Sequence, residues 1–279
     1  MGTAVFFGAA DFLGGRAARE ISAIRATALS ALAGLLVLAA VLPIFGGRMS
    51  TGALTWGILA GLVAATTVAL LYASLAIGPM SILAPLLAVV AAVVPATYGM
   101  LQGEQIGIAG LVGIAVALVA VVLVGFVPHR TAVRPRLLGI VLAMLAGAAM
   151  GTGIIVLDNT PIDSGILPLV IGRIVGVAVM FSVVGVVALR ATRRGTAAAG
   201  GWRGGTRFAL CGGLLAATAD VFMISGVRLG DVTVIGVLAA LCSAVTVVLA
   251  AIFLRERLAP PQVLGLVLAI GAAGLFALA

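Results

Sequence analysis

Residues 103–126 read GEQIGIAGLVGIAVALVAVVLVGF, and residues 255–279 read RERLAPPQVLGLVLAIGAAGLFALA. In each, a single Glu near the start gives way to a glycine-punctuated apolar run. Laid over one another at a shift of 152 positions, without a gap, Glu104 meets Glu256, Gly113 meets Gly265 and Leu123 meets Leu275. The same shift carries back to Gly78 on Gly230 and Leu86 on Leu238. Nearer the start the register becomes 142, with Ser22 on Ser164 and Gly34 on Gly176. The chain reads as a duplication, with one copy over 1–127, the other over 137–279, and the polar connector around His129 between them.

The composition says what kind of unit is doubled. Of 279 residues, 63% are hydrophobic and 9% charged, and the mean hydropathy is +1.36. Soluble domains carry roughly 25% charged residues, so a water-soluble globule is excluded, and a disordered chain with it. Apolar runs fall at approximately 1–16, 24–45, 52–76, 80–101, 106–127, 137–157, 165–189, 207–228, 232–254 and 260–279. In lipid every backbone group must be satisfied within its own element, so runs of this length are helices and not barrel strands. Ten spans in two copies make five per copy. Five is odd, so the second copy lies upside down relative to the first. The expected fold is an all-α membrane protein of ten transmembrane helices in two inverted five-helix repeats, a plan that recurs in transporters with the site at the repeat interface. The run at Met1–Gly15, lacking a basic leader, reads as the first span and not as a cleaved signal.

Absences exclude several chemistries. All 16 basic residues are Arg, so neither a Schiff-base lysine nor a P-loop lysine is available. The one His lies in a connector, and Cys211 and Cys242 lie in separate apolar runs, which suggests neither a metal site nor a disulfide scaffold. Neither a cofactor nor a nucleic-acid partner is expected. The net charge of +8 sits mostly between the apolar runs, where Arg orients helices. The pairs Gly57–Gly61, Gly147–Gly151 and Gly172–Gly176 have the spacing that lets helix backbones approach closely.

Together, the paired Glu-then-glycine-run endings, the early GAADFLGG (8–15) and the second-half DSGILPLVIGR (163–173) resemble the EamA type of the drug/metabolite transporter superfamily over essentially the whole chain. The resemblance implies a ten-helix inverted-repeat carrier with a central cavity, moving small metabolites, often outward. No enzymatic activity is expected. The expected setting is a prokaryotic cytoplasmic membrane, multi-pass, as a monomer or homodimer, with a small-molecule substrate and with proton coupling among the expectations. The competing readings are a non-catalytic assembly subunit and, behind it, an intramembrane enzyme. The latter lacks a clustered nucleophile and base.

Orientation is read two ways. Thirteen arginines lie in odd-numbered connectors, Arg48 and Arg228 in even ones, and Arg173 within a run. The positive-inside rule then places the odd connectors in the cytoplasm and both termini outside, whereas the resemblance implies cytoplasmic termini.

Charges within the spans are the sharpest functional pointers, because each is costly in lipid. Arg173 lies eight positions after Gly165, and Asp220 eight positions before Arg228. On antiparallel neighbours both sit roughly 12 Å from one face, which makes them an ion pair or a clamp for a zwitterion. In the resemblance, Arg173 matches the family's second-half pattern, whereas Asp220 stands where an Asn-like residue is more usual. The first-half counterpart of Arg173 is Ala31, so the site is asymmetric. Asp220 is also a candidate proton-titrating group. Asp11, within the family-like GAADFLGG, is read as lying near the opposite face and away from that pair. Tyr72 and Tyr98 are candidate cavity residues, and Trp56 and Trp202 interface anchors. Pro85 and Pro95 are candidate kinks or gating points in their helix. Glu104 and Glu256 are read as structural, complementing helix ends.

Overall fold

The computed structural model describes residues 2–101, 107–125, 136–193, 204–228, 242, 245–254 and 260–276. The helices are α1 (Gly2–Ile21), α2 (Ala23–Phe45), α3 (Thr51–Ile77), α4 (Met80–Leu101), α5 (Ile108–Gly125), α6 (Leu137–Asp158), α7 (Leu167–Arg193) and α8 (Thr206–Arg228). Residues 245–253 are also helical, and a C-terminal helix spans Pro260–Phe276. Among the described residues there is no strand. Among the described residues, four helices are long and apolar enough by themselves to cross a bilayer: Ala23–Phe45, Thr51–Ile77, Leu137–Asp158 and Leu167–Arg190. Most of the run expected at 232–254 lies outside the described residues.

Polar side chains inside these helices are satisfied locally. The hydroxyls of Thr55, Thr66, Thr67, Thr97, Thr152 and Thr218 each donate to a carbonyl one turn back, which lets Thr sit in lipid without an orphan donor. Ser50 caps α3, its Oγ accepting from the Ala53 N–H at 3.0 Å. At the far end of α3, Arg19 on α1 donates from Nε to the Leu75 carbonyl at 3.0 Å and from Nη2 to the Gly78 carbonyl at 2.8 Å. A cation there satisfies carbonyls that the helix end leaves over and complements its dipole.

These contacts also set the end of α1. The apolar pattern stops near residue 16, but the helix continues to Ile21. Arg16 lies 4.7 Å over the Phe208 ring and 3.7 Å from Glu20, one turn on, and Arg19 is anchored on α3. Arg16 and Arg19, counted among the connector arginines on sequence grounds, are thus helical, because α8 and α3 supply partners for them.

Packing runs α1 on α8, α3 on α6 and α7, α4 on α6, α2 on α7 and α8, and the C-terminal helix on α5. Glycines make the close seams. A Cβ on Gly61 would strike the Cα, C and O of Gly172, and one on Gly213 would strike the same three atoms of Ser30. Gly147 and Gly151 bring α6 against α4 at Leu87, Val90, Ala91 and Val94. The largest buried cluster gathers Phe12, Leu75, Met80 and Leu83 where α1, α3 and α4 meet. At the opposite end the α2–α3 and α6–α7 connections interlock. The Arg48 N–H donates to the Asp163 carbonyl at 3.1 Å, and Gly165, at φ 57°, lies against the Gly46 backbone.

Candidate functional site

Nη2 of Arg173 donates to Oδ2 of Asp220 at 2.5 Å, so the two residues matched in depth by counting do meet. The pair joins the second turn of α7 to the C-terminal half of α8. Its other wall is α2, where Gly34 leaves room for the guanidinium. A Cβ there would fall 3.1 Å from Nη1 and 3.3 Å from Cζ of Arg173, and 3.6 Å from Ala217 Cβ on α8. The side chains are 23% and 13% exposed.

Tyr72 is buried on α3, its ring stacked over Gly14 of α1. Its hydroxyl lies 3.3 Å from Ser30 Oγ on α2, and both Asp11 and Arg173 act on it electrostatically. Sequence reasoning missed Ser30. The available signal was its position one turn before Gly34, on the same face of α2. Thr246 was missed as well. Its hydroxyl donates to the carbonyls of Gly8 and Cys242, each at 3.1 Å, tying α1 to the 245–253 stretch.

Asp11 lies on α1, half-buried, within electrostatic reach of Tyr72 and Cys242. Among the described residues it touches neither Arg173 nor Asp220.

The remaining candidates are not brought to the pair. Tyr98 is 42% exposed near the end of α4. Pro85 is fully buried and Pro95 half-buried, and α4 runs unbroken through both. Glu104, Glu256 and Trp202 lie outside the described residues. Among the described residues no three His, Cys, Asp or Glu side chains cluster as metal ligands would.

The site so built is a guanidinium and a carboxylate held side by side between α7 and α8, with α2 as the third wall. The model of the EamA-like transporter family matches residues 137–278. No curated protein matches the chain. That match takes in the whole of α6, α7 and α8, including both members of the ion pair. With more than half its length inside it, the chain belongs to the EamA-like transporter family and is a multi-pass membrane protein.

Proposed function

We propose that the protein is a secondary carrier, probed best as an exporter of amino acids or similar zwitterions, working by alternating access between two inverted halves, 1–127 and 137–279. The observation that carries this reading is the Arg173–Asp220 pair, inside the membrane where α7 and α8 of the second half meet α2 of the first. A solute carboxylate would take the guanidinium and a solute ammonium the carboxylate, so neither charge is left unpaired while the solute is held. In this reading Tyr72, Asp11 and Tyr98 are further solute-contacting candidates, and Pro85 and Pro95 give α4 two positions at which to bend. Glu104 and Glu256 keep a structural role at helix ends.

Equivalent packing supports the doubled architecture. Gly61 moved by 152 positions is Gly213, and Gly172 moved back by 142 is Ser30. The two seams Gly61–Gly172 and Gly213–Ser30 involve the same backbone atoms. The contact of Gly34 with Ala217 is matched in the same way by that of Gly176 with Ala65, at 3.6 and 3.9 Å from the built Cβ. At the level of whole helices, α1 on α8 answers α6 on α3, and α2 on α8 answers α7 on α3. Ten spans follow if the stretch around 245–253 completes a helix equivalent to α4.

The test is solute uptake into proteoliposomes with and without a pH gradient, comparing radiolabelled amino acids with tetraphenylphosphonium. Saturable amino-acid uptake lost in Arg173→Gln supports the reading. Uptake of neither probe by folded protein overturns it.

A further inference from the structure

Arg173 and Asp220 neutralise one another, and Asp11 is left differently placed. It stands half-way along α1, and among the described residues no cation pairs with it and no hydrogen bond reaches its carboxylate. The nearest cation along its own helix, Arg16, is engaged by Glu20 and by the Phe208 ring. Arg19 further on is bonded to the end of α3. From α3 it is faced by Tyr72, and from the 245–253 side by Cys242. α8 carries Asp220, already held by Arg173, and α2 carries Ser30, bonded to Tyr72.

An unpaired, half-buried carboxylate among packed helices has two inexpensive states: neutral, with a proton, when its surroundings are dry, or ionised when water reaches it. Alternating access exchanges those two surroundings. Asp220 differs in this structure, because Arg173 bonds it directly and supplies its counter-charge. We propose that Asp11, and not Asp220, is the proton-coupling group of the carrier. This rests on the carrier reading above. In each cycle one O–H bond forms on a carboxylate oxygen from the water of one side and breaks to the water of the other. No other bond changes.

The experiment uses the full chain in liposomes. Infrared difference spectra across a pH titration should show a protonated-carboxyl C=O band that is lost in Asp11→Asn and kept in Asp220→Asn. Asp11→Glu should restore a titrating band at a shifted pH, which separates loss of the group from loss of the fold. In counterflow with radiolabelled amino acids, the pH dependence of the wild-type rate should flatten in Asp11→Asn, whatever rate remains. A titrating band that survives in Asp11→Asn, or one that disappears only in Asp220→Asn, overturns the proposal. Wild-type counterflow with no amino acid would instead sink the carrier reading, while the spectra still decide whether Asp11 binds a proton.

Discussion

Arg173 on α7 and Asp220 on α8, 47 positions apart in sequence, are joined by a 2.5 Å ion pair whose free edge rests on the bare backbone of Gly34. Each side chain is less than a quarter exposed, so each depends on the other for its counter-charge.

Removing one partner should therefore cost more than removing both. Arg173→Gln or Asp220→Asn leaves an uncompensated interior charge and should lower stability by about 2–3 kcal/mol, somewhat below the fully buried range because the pair is partly exposed. The double replacement Arg173→Met with Asp220→Leu should lose less than either single change. Thermal unfolding in detergent measures this, and additive single-site losses would contradict it.

Gly34→Ala tests the third wall of the site. The new methyl would press on Nη1 at 3.1 Å, shifting the guanidinium by a few tenths of an ångström without displacing a helix. Solute affinity should fall about fivefold, equivalent to about 1 kcal/mol, with the unfolding temperature nearly unchanged. Transport kinetics and thermal unfolding on the same preparation separate the two effects.

The glycine seams predict equal sensitivity in the two halves. Gly61→Ala and Gly213→Ala each drive a methyl into backbone that cannot yield, and each should cost about 2 kcal/mol or more. Gly185 on α7 has open space where its Cβ would be. Gly185→Ala should instead stabilise by about 0.5–1 kcal/mol through helix propensity. Urea or thermal titrations of the three variants would show the contrast.

Arg19→Gln should release the Leu75 and Gly78 carbonyls at the α3–α4 corner, at a cost of about 2 kcal/mol. Arg19→Lys should recover only part of this, since an ammonium cannot span both acceptors as the guanidinium does. Hydrogen exchange at residues 75–83 gives a local readout of that corner.

Much of this architecture is legible without coordinates because lipid permits so little else. Where water is absent a long apolar run has to close its own hydrogen bonds, so α2, α3, α6 and α7 fall close to where hydropathy places them. Depth also survives translation from sequence: counting residues from helix ends was enough to pair Arg173 with Asp220. Contacts that depend on rotation about a helix axis were not legible. Nothing local says that Ser30 and Tyr72, 42 positions apart, share a hydrogen bond. The end of α1 escaped for a related reason: its last turn persists on partners, Phe208 and the Leu75 carbonyl, that no reading of residues 1–21 alone contains.

The bond from Thr246 to the carbonyl of Gly8 crosses 238 positions of chain. A ribosome that has released residues 1–127 into the bilayer has not yet made the hydroxyl against which the opening helix finally rests, nor Phe208 to cover Arg16. α1 thus enters the bilayer well before the partners on which it finally rests exist. Biogenesis of this protein is for that reason a matter of closing a ring, and a nascent chain cut short before Thr246 would leave α1 without that hydroxyl.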